Sequence, residues 1–308
     1  QQGRKQEAKA NADKLFQSYM NQNQFSNAEL TANNLGFMFY YEGDYQNAVQ
    51  YFRKAVDMVE NKRQALSPQE RMRLLNTKNS SYTGLVMSYQ KLNQTHKLFD
   101  IQDRNRSRYL KDQLNAEAPT ASLADAQNLL GANDLLIYYS LTGPGEIVIN
   151  AITQNSAQVF YNYPIDDWLA IKKTWIDRTK KIPASYNGFL KDFKNDIVDG
   201  NLVRYADKRQ NFTADDFQDN VEFTRQLLQT DDPKLISMRN ALLKHWYNFT
   251  LQPIQNLIAQ KQNIIIAPSN ELNYLPFEAF MNSQGQYFIG QHNVKYIPSV
   301  SVWKSIAQ

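Results

Sequence analysis

Apolar positions recur at helical spacing through the first third of the chain. Ala8, Ala12, Leu15, Phe16 and Tyr19 form one stripe, the i, i+3, i+4 pattern of an amphipathic helix. After Gln22-Asn23-Gln24, Ser26 is the expected N-cap of a second helix running to Tyr41. Gly43-Asp44 supplies a turn, and Ala48, Val49, Phe52, Ala55 and Val56 line one face of a third helix. A polar insert from Asn61 to Pro68 precedes another pair. Its first helix spans about Pro68 to Leu92, with Met72, Leu75, Tyr82, Leu85, Val86 and Tyr89, and its second runs from Thr95 to about Leu114.

Ala118-Pro119-Thr120 reads as a joint, followed by a brief helix over Leu123 to Leu130. The period then changes. Leu135 to Tyr139 and Glu146 to Ile152 are predicted strands joined by Thr142-Gly143-Pro144-Gly145, and Ala157 to Tyr161 completes a meander. Helical spacing returns from Asp166 to Lys261. Trp168, Ile171 and Trp175 form a stripe read as core rather than a ligand cage, and Phe189, Phe193, Ile197 and Val203 continue it. Asp199-Gly200-Asn201 and Asn211 to Asp216 are read as connections. Asp231-Asp232-Pro233 opens a helix bearing Leu242, Leu243, Trp246, Tyr247 and Phe249.

Near the carboxyl end, Ile264-Ile265-Ile266 is an uninterrupted β-branched run closed by Pro268. Such a run predicts a strand buried on both faces of a parallel sheet. Pro268-Ser269-Asn270 breaks it. Leu275 to Phe280 is expected to be a short helix with Pro276 in its first turn; Tyr287 to Ile289 and Val294 to Ile297 are expected strands, the latter stopped by Pro298.

Composition narrows the function. The 308 residues have room for about two domains and a sizeable core. Abundant aromatics (18 Tyr, 16 Phe, 4 Trp) mark a folding chain. The formal charge of +4, from 34 basic and 30 acidic residues without single-sign blocks, makes no case for nucleic acid. No run of about eighteen apolar residues is present, so no spanning helix is expected. The opening QQGRKQEAKA has no apolar signal core, and the expected compartment is the cytoplasm. With no cysteine and only His96, His245 and His292, neither a metal nor any other cofactor is expected. Gly143-Pro144-Gly145 lacks the Lys-Ser/Thr and following helix of a phosphate loop, which argues against nucleotide binding.

Two resemblances organise these segments. Leu35-Gly36, Phe39, Gly43-Asp44-Tyr45, Ala48, Phe52 and Ala55 resemble a tetratricopeptide repeat. The closing Pro of that motif is absent, with Glu60 near its place. IIIAPSNELNYLPFEAF and VKYIPSVSVW resemble the start of the CHAT domain, a caspase-like module fused to such repeats. Pro268, Leu272, Leu275, Pro276, Phe277, Ala279, Pro298 and Ser299 carry the likeness. Upstream, Leu251-Gln252-Pro253-Ile254 and the entry LADAQNLLGANDLLIYYSL are similar to the same family. So are Asp103, Arg104, Arg106, Arg108 and Leu110, which resemble its last repeat. These arginines read either as a contact surface for the following domain or as a solvated face with weak ion pairs.

The resemblance implies an α-helical tetratricopeptide-like array over 1–118, then an α/β caspase-like domain over 119–308, only its first half present. Within the second part it implies a β-meander over 134–162, helices over 166–261 and a first core strand over 263–267. By the same resemblance the complete protein is a cysteine endopeptidase whose His and Cys lie on later strands. This chain has neither and is expected to be inactive alone, with no catalytic residue of its own.

Ser269, Asn270 and Glu271, which depart from the family's usual Asp-Gly turn, are the substrate-pocket candidates, Glu271 as a selector of basic side chains; a plain turn is the competing reading. Asn33, Asn34 and Tyr40 are candidates for the repeat groove, or ordinary surface. The implied partners are a protein or peptide on the repeats and a second chain or fragment carrying the rest of the domain. A half-built sheet is expected to expose the Ile264–Ile266 strand and an unpaired edge. The rival class is a non-catalytic interaction scaffold. A serine hydrolase using His245 or His292 has no Gly-x-Ser-x-Gly to support it.

Overall fold

A computed structural model of the protein describes residues 2–67, 69–71, 74, 79–114, 120–143, 145–163, 214–229 and 233–307. The expected features at Trp168, Ile171, Trp175, Phe189, Phe193, Ile197, Val203, Asp231 and Asp232 lie outside the described residues, as does most of 68–78.

The amino-terminal region is helical: α1 (Gln2–Asn21), α2 (Phe25–Tyr41), α3 (Tyr45–Gln64), α4 (Ser80–Lys91) and α5 (Thr95–Leu114). Three of its turns share one geometry. Asn23, Gly43 and Asn93 each take a positive φ, of 56°, 81° and 52°. In each, the next residue's N–H reaches back to an aromatic carbonyl: Gln24 to Tyr19, Asp44 to Phe39 and Gln94 to Tyr89. A left-handed residue, with the N–H after it returning to a carbonyl of the last turn, is what permits three-residue connections between antiparallel helices.

Close approach does the rest. A Cβ at Gly36 or Gly84 would run into the ring of Phe52, which is fully buried. That ring therefore fills the space between α2, α3 and α4.

Two local expectations are corrected here. The turn at Asn23 places Gln24, not Ser26, at the start of α2, and no side-chain cap bond forms. Half of the polar insert, Asn61 to Gln64, continues α3, where Arg63 bonds Glu60 at 3.1 Å.

A short helix, α6 (Leu123–Leu129), opens the second region with a Ser122–Asp125 capping box. Among the described residues five strands form one sheet: β1 (Asp134–Gly143), β2 (Glu146–Ile152), β3 (Ala157–Asn162), β4 (Asn263–Ala267) and β5 (Asn293–Tyr296). Their order is β3-β2-β1-β4-β5. The meander pairs antiparallel, whereas β1 with β4 and β4 with β5 are parallel. Among the described residues, the helices between the meander and β4 are α7 (Ala214–Leu228), α8 (Pro233–Thr250) and the single turn α9 (Gln255–Ile258); α10 (Val300–Ala307) follows β5.

Side chains alternate across the strands. Leu135, Ile137, Tyr139, Ile147, Ile149, Ile264 and Ile266 face one core with Phe217, Leu242, Leu243 and Trp246 of α7 and α8. Leu136, Tyr138, Ile152, Ile265 and Ala267 face the other side, against Phe99 of α5, Leu123 of α6 and Val300 of α10. Val148 joins the core of the helical region itself. The sheet is thus a middle layer, and the amino-terminal helices cover one of its faces.

The isoleucine run is not exposed. Ile264, Ile265 and Ile266 are 0–4% accessible, because β4 is flanked by β1 and β5. Among the described residues β3 and β5 are the two edge strands. Three further expectations change. Pro276 lacks an N–H and holds its neighbour extended. The segment after β4 therefore forms 3-10 turns at Asn270–Tyr274 and Phe277–Ala279 rather than one helix. Tyr287 to Ile289 enters a 3-10 turn at Phe288–Gly290, because Phe288 is buried while Ile289 stays 61% exposed. The supposed connection at Asn211–Asp216 already belongs to α7 from Ala214 onward.

Candidate functional site

The parallel pair β1–β4 runs in register from Asp134↔Asn263 to Tyr138↔Ala267. The next position on the β4 side is Pro268, whose missing N–H interrupts the pairing of β4 with β5, since the Gln262 and Ile266 carbonyls face that strand. Side chains take over at this point. The Arg106 guanidinium, from α5, donates to the Pro268 carbonyl at 2.7 Å and to the Tyr139 carbonyl. Ser269 Oγ accepts the N–H of Leu141 at 3.2 Å. Beyond these contacts the strands part, and a cleft of about 350 Å³ opens between their carboxyl ends and helices α4 and α5. Crevices at the carboxyl ends of parallel strands are where open α/β sheets hold ligands. Asn79, Gln102 and Asn105 line the helical wall, and Ser140, Ser269 and Asn270 line the strand wall.

Helix α5 holds this arrangement through one face. Asp103 is fully buried. Its carboxylate accepts the Tyr138 hydroxyl at 2.7 Å, the N–H of Val300 at 2.7 Å, the N–H of Ser301 at 3.2 Å and the Ser301 hydroxyl. The anion sits at the positive start of α10, where a buried charge is best accommodated. One turn on, Arg106 lies 4.8 Å from the Tyr138 ring. Burial pulls its guanidinium down to about 10, opposed by Tyr138 and Asp103, so it stays charged at neutral pH. Gln102 Nε2 donates to Ser140 Oγ at 3.0 Å and its Oε1 accepts Asn150 Nδ2 at 3.3 Å. Burial also pushes the Tyr138 and Tyr139 hydroxyls well above their usual range, which keeps both as donors. Tyr139 donates to the Thr250 carbonyl at 3.1 Å.

The neighbouring arginines divide. Arg108 is buried and bonds Glu60, Tyr82 and Asn105. Burial alone would raise the Glu60 carboxyl, but the Arg108 charge and the bonds from Tyr82 and Arg108 hold it below the usual range. Arg104, 3.9 Å from Glu60 with a 39% exposed side chain, fits the solvated-face reading. Arg106 fits the contact reading, whereas Arg108 pairs within the helical array itself.

Ser269 and Asn270 both line the cleft, and Asn270 takes a positive φ of 48°, with its carbonyl held by Asn273 Nδ2 at 2.8 Å. Glu271, half-buried in the following turn, is not among the lining residues. Asn33 is 8% exposed, and its Oδ1 accepts the hydroxyls of Ser80 at 3.2 Å and Ser81 at 2.8 Å, tying α2 to α4. Asn34 is exposed. Tyr40 packs against Tyr41 and Tyr45, and burial, with Tyr45, Glu146 and Tyr41 adding to it, pushes its hydroxyl up to about 12.

Neither His245 nor His292 lines the cleft. His245 is 5% exposed beside Trp246, and burial pulls it down to about 3. His292 Nδ1 contacts the Lys261 carbonyl at 2.9 Å. Among the described residues no group of three His, Cys, Asp or Glu could hold a metal, and no helix is long and apolar enough to cross a membrane.

Asn79, Gln102, Asn105 and Ser140 were not singled out from the sequence. The available signal was the spacing of Gln102, Asp103 and Arg106, which puts all three on one face of a helix.

Residues 240–308, from the second half of α8 through β4, β5 and α10, match the family model of the CHAT domain. No curated protein matches the chain.

Proposed function

We propose that the chain is a tetratricopeptide array joined to the opening half of a CHAT-type cysteine endopeptidase, with the cleft at the ends of β1 and β4 as part of its substrate pocket. The observation that carries this reading is the coincidence of the cleft with the stretch matching the CHAT model, since Pro268, Ser269 and Asn270 belong to both.

In this reading the reactive His and Cys come from a segment that completes the sheet along the open edge of β5. There the exposed Tyr296 and Ile289 offer apolar surface beside unpaired backbone groups. Ser269 and Asn270 contact the substrate from the strand wall. The helical array, through Asn34 and Tyr40, recruits a protein or peptide, and Asn33 braces that surface. The 308 residues alone contain no cysteine and therefore no thiolate nucleophile.

The test applies a thiol-reactive peptidyl ketone and a casein digestion assay to the complete encoded polypeptide, with residues 1–308 in parallel. Labelling and cleavage are expected from the complete polypeptide and from it alone. A complete polypeptide that neither labels nor cleaves overturns the peptidase reading in favour of a non-catalytic scaffold.

A further inference from the structure

The contacts of α5 assign Arg106 a specific task. We propose that Arg106 is a positioning residue, a guanidinium rung that joins the Tyr139 and Pro268 carbonyls where the β1–β4 ladder ends and sets the separation of the cleft walls. The inference rests on the cleft being the ligand-binding site, but its test does not require any ligand or activity.

The geometry leaves that task to a guanidinium. In register, Tyr139 stands opposite Pro268, one step beyond the last pair, Tyr138↔Ala267. Pairing of β1 with β4 ends at Tyr138↔Ala267, so beyond it the two strands would be free to separate or to slide at the mouth of the cleft. A planar fork with several N–H groups can reach two carbonyls at once, and Arg106 reaches one on each strand. A lysine ammonium on a flexible stem is a point charge and does not hold two carbonyls at fixed spacing. The next coupling outward, Ser269 Oγ to the Leu141 N–H, is a single neutral bond and depends on the strands already being held.

The rung is not anchored in the sheet. It projects from α5, whose Asp103, one turn earlier, grips the first residues of α10. A displacement of α5 therefore moves both strand ends and the start of α10 together.

Amide exchange tests it in the 308-residue chain, with Arg106→Lys and Arg106→Ala compared against the unaltered protein. In both variants the amides of Leu141 and Leu272, which bond the Ser269 hydroxyl and carbonyl, should exchange faster, by on the order of ten- to a hundredfold, as expected when a charged hydrogen bond over buried carbonyls is lost. The amides of α7 and α8 should be unchanged. Methylguanidinium at millimolar concentration should restore slow exchange in Arg106→Ala and leave Arg106→Lys as it was.

Unchanged exchange around the cleft in Arg106→Lys overturns the proposal. So does uniform acceleration across the protein without recovery in methylguanidinium, which marks a generally stabilising residue. Should Arg106→Ala not fold, Arg106→Lys decides alone. Failure of the peptidase reading with these exchange results intact would leave the rung standing, and the converse outcome would remove only the rung.

Discussion

The two faces of the sheet are built on different rules. Toward α7 and α8 the strands present leucines, isoleucines and Tyr139, and their partners are Phe217, Leu242, Leu243 and Trp246. Toward α5 and α10 the same strands present Tyr138, Ser140 and Asn150, met by Asp103, Gln102 and Arg106. Apolar packing is strong but non-directional, and tolerates small shifts. Buried polar contacts add modest net stability but are costly to leave unmade, so they select one orientation. Both faces contribute apolar burial, since Leu136, Ile152 and Ile265 pack against Phe99 and Val300 on the second. The second fixes where the helical array sits, and the cleft lies on that side.

The largest test of this division is Trp246→Ala. The side chain is fully buried and its Nε1 donates to Thr224 Oγ1 at 2.7 Å. Removing it should cost about 4 kcal/mol in urea unfolding. Amides of Val300 and Ser301 should keep their relative protection at low urea. Asp103→Ala should cost about 3 kcal/mol by leaving several buried donors unmatched. It should release Val300 and Ser301 to exchange while the amides of α8 stay protected. If both substitutions loosened both faces equally, the distinction would be lost.

Acid offers a finer cut. His245 lies under the apolar face with its folded value near 3, below the unfolded 6.5, so the unfolded chain binds the extra proton. Stability is full above pH 6.5 and should fall by about 1.4 kcal/mol per unit below it. His245→Gln should flatten that slope. Glu60, in the helical array, is held below its ordinary 4.5. Its contribution is present above pH 4.5 and is lost as pH drops further. Urea titrations at stepped pH should resolve the two windows in that order.

Much of this was legible in the chain. The turn at Gly43-Asp44 and the strand stop at Pro268 are local chemistry, fixed by backbone freedom and a missing donor. The β-branched run at Ile264–Ile266 announced a strand buried on both faces, and the exposure expected of a half-built sheet does not occur because β1 and β5 flank it. Tyr287 to Ile289 misled because three consecutive apolar residues there bury one ring, Phe288, and form a single bridge at Tyr287 in place of a ladder. The helical wall of the cleft was unreadable for a simpler reason. Arg106 stands 162 positions before its Pro268 partner, and nothing local says which carbonyls a distant guanidinium will meet. Likewise Asn33, with the look of a surface residue, spends its acceptor on two serines of another helix.

Phe52 shows how tightly the covering helices constrain one another. Its ring abuts the bare Cα of Gly36 on one helix and of Gly84 on another. These three positions behave as a single lock with two keyholes. A methyl at either glycine demands a slimmer residue at 52, and that slimmer residue leaves a void beside the other glycine. The trio can therefore drift only by coordinated exchange, and a lone change at any member should be rescued by one at a partner far along the chain.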